Sequence, residues 1–218
     1  MNDPVDCPQN QEIWPPPPTF ELRSAGFPVV LSAPSGAGKT SICHGVIHEL
    51  ENVSYSVSLT TRASRTGEVD GHDYHFVTRD VFQRRVDAGR LIEWAEVHGN
   101  LYGTDREVIQ ATMARGGVEL LDLDVQGGAK LKAAIPSTVL VFILPPSWEA
   151  LEHRLRQRGD VADDVMKLRL ANARAEMSKH TTYDYLVLND DLDRAIERVS
   201  GIIRSESARI SRSRLLGL

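Results

Sequence analysis

The sequence predicts an α/β fold: a parallel sheet covered by helices on both faces. Three observations carry that expectation. Short apolar runs of strand length alternate along the chain with longer segments of helical periodicity. Two of the runs, "FPVVLS" and "VLVFIL", are apolar at nearly every position, as strands buried on both faces are. A Gly-rich turn directly follows the first run and opens a helix, the strand–turn–helix order from which parallel sheets grow.

The elements follow in order. Structure is expected to begin near Phe27 with "FPVVLS". After the Gly-rich turn, "TSICHGVIHEL" places Ile42, Val46, Ile47 and Leu50 at helical spacing. "YSVSLT" alternates Tyr55, Val57 and Leu59 with polar residues, a half-buried strand. "YHFV" is a short strand, and "RDVFQRRVDAG" is a helix stopped by Gly89. "LIEWAEV" is a strand carrying acids. Thr104 and Glu107 have the spacing of a capping box, which would open a helix ending at Gly116-Gly117. "VELLDLDV" and "VLVFIL" are strands, the second closed by Pro145-Pro146. Ser147 to Gln157 and Asp163 to Lys179 are charged helices. "YDYLVLN" is a last strand, and Leu192 to Arg209 an amphipathic helix. The region 58–104 breaks the strand–helix rhythm with short strands and is expected to be an inserted subdomain.

Length and charge narrow the class. A chain of 218 residues suits one domain, or one with insertions. A net charge of -5 argues against nucleic acid as partner, though not against a local basic cleft. Cys7 and Cys43 offer at most one bridge, and Cys43 lies in an apolar helical stretch. A reduced core thiol and a cytoplasmic address are therefore expected. No run approaches the roughly 18 apolar residues of a membrane span, so no membrane partner is expected. The N-terminus "MNDPVDCPQNQEIWPPPPTFE" lacks the basic start and apolar middle of a signal peptide. With Pro15 to Pro18 in a row, residues 1–26 are expected to form a disordered, Pro-rich arm.

The turn after the first strand reads "APSGAGKT", residues 33–40, in the strand–loop–helix context that a P-loop requires. Gly36 and Gly38 let the backbone curl so that successive N–H groups point at phosphate oxygens, and the helix N-terminus adds its dipole. Lys39 is placed to reach the β- and γ-phosphates, and the Thr40 hydroxyl to bind Mg²⁺. Ala33 stands where the motif usually has its first glycine. Ser35, Gly36, Ala37, Gly38, Lys39, Thr40 and Ser41 form the candidate ATP site. Asp122, which follows the apolar residues of "LLDLD", is the candidate partner acid for the metal. Asp124, two residues on, is expected to point to the same side of the strand.

A P-loop alone fits a GTPase, a motor, a transporter ATPase or a small-molecule kinase. The sequence has no Asn-Lys-x-Asp motif, which argues against a GTPase, and it is short for a motor. A nucleotide kinase needs a second cationic site for the acceptor phosphate. Arg62 and Arg65 can fork onto a phosphate, and Tyr74 and Tyr102 can add hydroxyl donors.

The stretch "TTRASRTGEVDGHDYHFV" resembles the signature of the guanylate kinase family, at Thr60, Thr61, Arg62, Arg65, Glu68, Gly71, Tyr74 and Phe76. "SAPSGAGKT", "LIEWAEVHGNLYGT", "LDLDVQG", "FILPPS", "HRLRQRG" and "YLVLNDD" follow the same family order, most like its bacterial members. The resemblance implies a P-loop NTPase fold with an inserted GMP-binding subdomain and a helical lid. It implies phosphoryl transfer from ATP to GMP, giving ADP and GDP, in purine nucleotide metabolism. The domain would span 27–218, with its core at 27–57, 105–147 and 180–218, the GMP-binding insertion at 58–104 and the lid at 148–179.

By the same resemblance, Ser58, Glu93, Thr104 and Asp124 read guanine, and Arg62, Arg65, Tyr74 and Tyr102 hold the GMP phosphate. Arg154, Arg158 and Arg169 join Lys39 as catalytic cations from the lid, and Asn189 approaches the adenine. An ionised Glu93 suits guanine, whose N1–H and N2–H₂ are adjacent donors, and repels the N1 acceptor of adenine. Arg154 and Arg158 lie four apart on one helix face, with Gly159 as a hinge. The C-terminal "ARISRSRLLGL" is basic and apolar by turns, available for packing or for pairing with a second subunit as a homodimer. Two other readings stay open: a non-catalytic scaffold module, and a phosphokinase acting on a ribose bisphosphate.

Overall fold

The computed structural model of the chain describes residues 21–97, 99–157 and 163–216. Its centre is a five-stranded sheet built from β2 (Phe27–Ser32), β3 (Val53–Tyr55), β8 (Val118–Asp122), β9 (Val139–Leu144) and β10 (Tyr185–Leu188). The spatial order is β10-β9-β2-β8-β3, and every neighbouring pair is parallel. β2 lies mid-sheet, and all six of its residues are buried. That burial explains why "FPVVLS" shows no alternation.

Side chains leave each strand alternately to two faces. On one face Val29, Leu31, Val118, Leu120, Val139, Val141 and Val187 pack against α1 (Lys39–Glu49) and α7 (Leu192–Ser207). Ile42, Cys43 and Val46 come from α1, and Ala195, Val199 and Ile203 from α7. Cys43 is a free, buried thiol. On the other face Val30, Leu121 and Leu140 pack against α3 (Arg106–Ala114) and α4 (Val125–Ala134), through Ile109 and Leu131.

The insertion has its own sheet and its own core. β4 (Leu59–Thr60), β5 (His75–Phe76), β6 (Leu91–Val97) and β7 (Asn100–Asp105) are ordered β5-β4-β7-β6. Phe82 of α2 (Arg79–Asp87) packs with Leu59, Leu91 and Leu101. A separate apolar cluster of Leu151, Leu155, Met166 and Ala173 joins α5 (Trp148–Arg156) to α6 (Asp163–Met177).

Ordered backbone begins before Phe27, inside the stretch expected to be a disordered arm. β1 (Glu21–Ser24) pairs antiparallel with β11 (Ser213–Leu216), in register from Glu21↔Leu216 to Ser24↔Ser213. The basic tail is anchored by side chains. Arg212 lies over the Phe27 ring at 4.1 Å and pairs at 3.1 Å with Glu206, which is buried. Residues 1–20, with the Pro15–Pro18 run and Cys7, lie outside the described residues.

The capping box expected at Thr104 is also corrected. Asp105 is the N-cap of α3, its side chain accepting from the Glu107 N–H at 2.9 Å, and Thr104 belongs to β7.

Candidate active site

The cleft opens where the central strands end and the insertion faces them. It has a volume of about 400 Å³. The P-loop residues Ser35, Gly36, Ala37, Gly38, Lys39 and Thr40 line it. So do Ser58, Arg62, Arg65, Tyr74, Glu93 and Tyr102 of the insertion, and Asp122, Asp124 and Glu176 from the core side and α6.

At the P-loop, Gly36 and Gly38 both have left-handed backbones, with φ of 87° and 94°. Glycine is required at position 38 for a second reason. A Cβ there would lie 2.5 Å from Asn189 Nδ2. That amide donates to the Ala37 carbonyl at 2.7 Å, and Asn189 is 4% exposed. Asn189, expected to approach the adenine, braces the P-loop through this bond. Arg154 sits on the same side, with Nη1 donating to the Ala37 carbonyl and Nη2 to the Asn189 carbonyl, each at 3.4 Å.

Lys39 Nζ lies 2.9 Å from Asp122 Oδ1, and Thr40 Oγ1 donates to Asp122 Oδ2 at 3.1 Å. One carboxylate at the end of β8 thus holds both P-loop side chains. Burial works against the charge on Lys39, but the Asp122 carboxylate outweighs it and keeps the ammonium above the usual lysine range. Asp124 lies beyond the strand, as the N-cap of α4, accepting from the Gly127 N–H at 2.7 Å. Its capping role and its place on the cleft wall coexist.

In the insertion, Arg62 forks onto Glu68, with contacts of 2.8 and 2.9 Å, and Glu68 also accepts from the Arg65 N–H at 2.7 Å. The guanidinium carbon of Arg62 stands 5.4 Å from the Tyr74 ring centre and 5.7 Å from that of Phe76. Tyr74 meets Tyr102 edge-on at 5.9 Å. Burial, with the Asp122 charge, raises the Tyr74 phenol above its ordinary value, so it remains a hydroxyl donor.

Glu93 is 7% exposed while its neighbour Trp94 is 43% exposed, so the strand turns its carboxylate inward and the indole out. Thr104 Oγ1 donates to Glu93 Oε1 at 2.6 Å. The single hydroxyl proton of Thr104 is directed at Glu93 here, so Thr104 orients that carboxylate. Burial raises the Glu93 carboxyl above the usual range, against the bond from Thr104.

Ser41 is exposed on α1 and Arg169 is exposed on α6; neither lines the cleft. Arg158, with Gly159, lies outside the described residues. Two carboxylates at the site escaped the sequence reading. Glu68 was part of the signature but had no assigned task, although an acid six residues from Arg62 was a signal for an ion pair. Glu176 is one acid among many on a charged helix, and only the fold brings it to the cleft.

The oxygen donors Thr40 Oγ1 and Asp122 suit a hard divalent cation that takes few protein ligands and completes its shell with water and phosphate. Among the described residues, no group of three or more His, Cys, Asp or Glu side chains forms an all-protein metal site. No described helix is long and apolar enough to cross a membrane.

A P-loop joined by one cleft to a second cationic site on an inserted sheet defines a P-loop nucleotide kinase. The guanylate kinase family model matches residues 25–206. The chain is 48% identical over 193 residues to the guanylate kinase of Syntrophotalea carbinolica, covering 88% of this chain and 92% of that one. It is 44% identical over 192 residues to that of Agrobacterium fabrum, covering 88% and 87%. The crystal structure of guanylate kinase from Anaplasma phagocytophilum superposes with a TM-score of 0.76 at 37% identity, covering 91% and 94% of the two chains. This chain belongs to the guanylate kinase family, kinases that phosphorylate GMP using ATP.

Proposed function

We propose that the chain transfers the γ-phosphoryl group of ATP to GMP, with its two substrates held at opposite ends of the one cleft. The observation that carries this is the single cavity shared by the P-loop, the Arg62–Arg65–Tyr74–Tyr102 group and the Glu93 carboxylate.

The P-loop N–H groups of residues 35–41 and Lys39 hold the ATP phosphates. Thr40 and Asp122 would hold Mg²⁺, which supplies charge neutralisation on the transferred phosphoryl. Lys39 must then exchange its Asp122 contact for phosphate oxygens. Arg62 and Arg65 clamp the GMP phosphate, with Tyr74 and Tyr102 donating. Glu93, set by Thr104, accepts from guanine N1–H and N2–H₂, with Ser58 and Asp124 on the same wall. The α5–α6 pair acts as the lid: Arg154 already lies against the loop, and Arg158 and Arg169 would join it on closure. Asn189 serves the loop's shape rather than the adenine. No general base is required, since the acceptor phosphate has its second pKa near ~6 and is mostly a dianion at neutral pH. The barrier is repulsion between two anionic phosphates, and the cations lower it.

A cytoplasmic address suits the buried free thiol of Cys43. A homodimer would need a surface other than Ser213–Leu216, which pairs with β1.

The test is ADP release from ATP and Mg²⁺ with GMP, AMP, CMP and UMP in turn. Strong release with GMP alone is expected. Equal release with AMP would sink the role of Glu93. No release with any of them would favour the scaffold or the other-acceptor kinase.

A further inference from the structure

Four carboxylates line the cleft: Glu93, Asp122, Asp124 and Glu176. Three are committed within the protein. Asp122 holds Lys39 and Thr40, Asp124 caps α4, and Glu93 accepts from Thr104. Glu176 is different. It sits in the last turn of α6, half-buried, and among the described residues no hydrogen bond or ion pair holds its carboxylate. Burial, with the Asp124 charge, raises its carboxyl above the usual range, against the support of the Lys39 and Lys179 charges.

Its position is fixed by packing. α6 is joined to α5 through Met166, Ala173, Leu151 and Leu155. α5 leans on the P-loop, where a Cβ on Gly36 would come 3.1 Å from Leu155 Cδ2. The Glu176 carboxylate lines the cleft shared with the P-loop, within electrostatic reach of Lys39. Uncommitted negative charge beside a polyphosphate site is unfavourable unless a cation stands between them. Metal-free ATP brings its full polyphosphate charge to that site, whereas the metal complex brings a cation with it.

We propose that Glu176 determines which form of the nucleotide binds: its carboxylate repels metal-free ATP and tolerates the complex with a divalent cation. This rests on the reading of Thr40 and Asp122 as the metal-holding pair. Glu176 is thus an electrostatic check on the donor substrate, built into the helix pair that covers it.

The test is ATP affinity by calorimetry, once with Mg²⁺ and once with EDTA, for wild type, Glu176→Gln and Glu176→Asp. Glu176→Gln should bind metal-free ATP roughly tenfold more tightly than wild type, with the affinity for the Mg²⁺ complex changed less than about threefold. Glu176→Asp, which keeps the charge, should keep the wild-type preference. Unchanged metal-free affinity in Glu176→Gln, or an equal shift in both conditions, overturns the inference. So does a Glu176→Asp variant that behaves like Glu176→Gln, since that marks a shape effect. Asp122→Asn separates the two readings. An affinity for the Mg²⁺ complex that is unchanged in Asp122→Asn overturns the metal assignment. A Glu176→Gln preference equal to wild type overturns the Glu176 role alone.

Discussion

The Arg62 guanidinium and the Glu68 carboxylate form a two-pronged pair, Nη2 to Oε1 at 2.8 Å and Nη1 to Oε2 at 2.9 Å. The hydrogen bonds to Arg62, with the Arg65 N–H, hold the Glu68 carboxyl below the usual range. The arginine proposed to clamp the GMP phosphate is thereby fixed in direction, with Tyr74 and Phe76 under its face. Pre-orientation lowers the ordering cost of binding.

Glu68→Gln should therefore act through GMP. The Arg62 fork loosens, and the KM for GMP is expected to rise about fivefold to thirtyfold, the loss of roughly 1–2 kcal/mol of positioning. ATP affinity should stay within about twofold, because the P-loop is untouched. Steady-state kinetics with each substrate varied in turn measures both. A KM for GMP that does not move would mean that Arg62 finds the phosphate unaided.

Glu93 ties base recognition to pH. Burial raises its carboxyl above the ordinary carboxylate value near 4.5. Guanine needs the ionised form, so GMP affinity is complete above the raised value and is lost as pH falls through it. The loss should begin at higher pH than for an exposed glutamate. Thr104→Val removes the hydroxyl that favours the charged form and should move the onset higher still. GMP affinity measured across pH 4.5–8 checks both; identical profiles for wild type and variant would sink the coupling.

What the sequence made legible was chemistry carried by local spacing. Gly36, Gly38, Lys39 and Thr40 declare a phosphate loop because the loop, helix and ligands are contiguous. Arg62 and Arg65, three apart, come to one cleft for the same reason. What stayed hidden depends on partners distant in the chain. Thr-x-x-Glu at Thr104 has the spacing of a cap, but Asp105 takes the cap and the Thr104 proton goes across the ladder to Glu93. β1 is unremarkable as sequence and forms only because the opposite end of the chain pairs with it. Asn189 carries no local mark of its bond to Ala37, and Glu176 none of its place in the cleft.

The contact between Gly38 and Asn189 can be tested as a pair. Gly38→Ala puts a Cβ 2.5 Å from Asn189 Nδ2 and strains a left-handed backbone at φ 94°. The strain alone is about 1–2 kcal/mol. Asn189→Ala leaves the buried Ala37 carbonyl without its donor, a cost of about 1–3 kcal/mol. Each single variant should lower the melting temperature and weaken ATP binding. The double variant should be less damaging than the sum, because the clash needs both side chains. Additive effects in a double-mutant cycle would show that the two residues act separately.

Glu119 makes stability depend on pH away from the cleft. It lies in β8, fully buried, and among the described residues neither carboxylate oxygen has a partner within hydrogen-bond geometry. Burial raises its carboxyl from 4.5 to about 7, against partial support from Thr112 and the Arg115 charge. In the unfolded chain the same group ionises near 4.5. Between those values the folded protein holds the proton and the unfolded chain does not, so stability falls as pH rises through the window and levels off above about 7. The total loss is on the order of 3–4 kcal/mol at most. Glu119→Gln has no proton to lose. Its melting temperature should exceed that of wild type by several degrees at pH 8, and the two should converge near pH 5. Thermal unfolding of both across that range is the measurement, and parallel curves would mean that Glu119 is ionised and paired in the folded state.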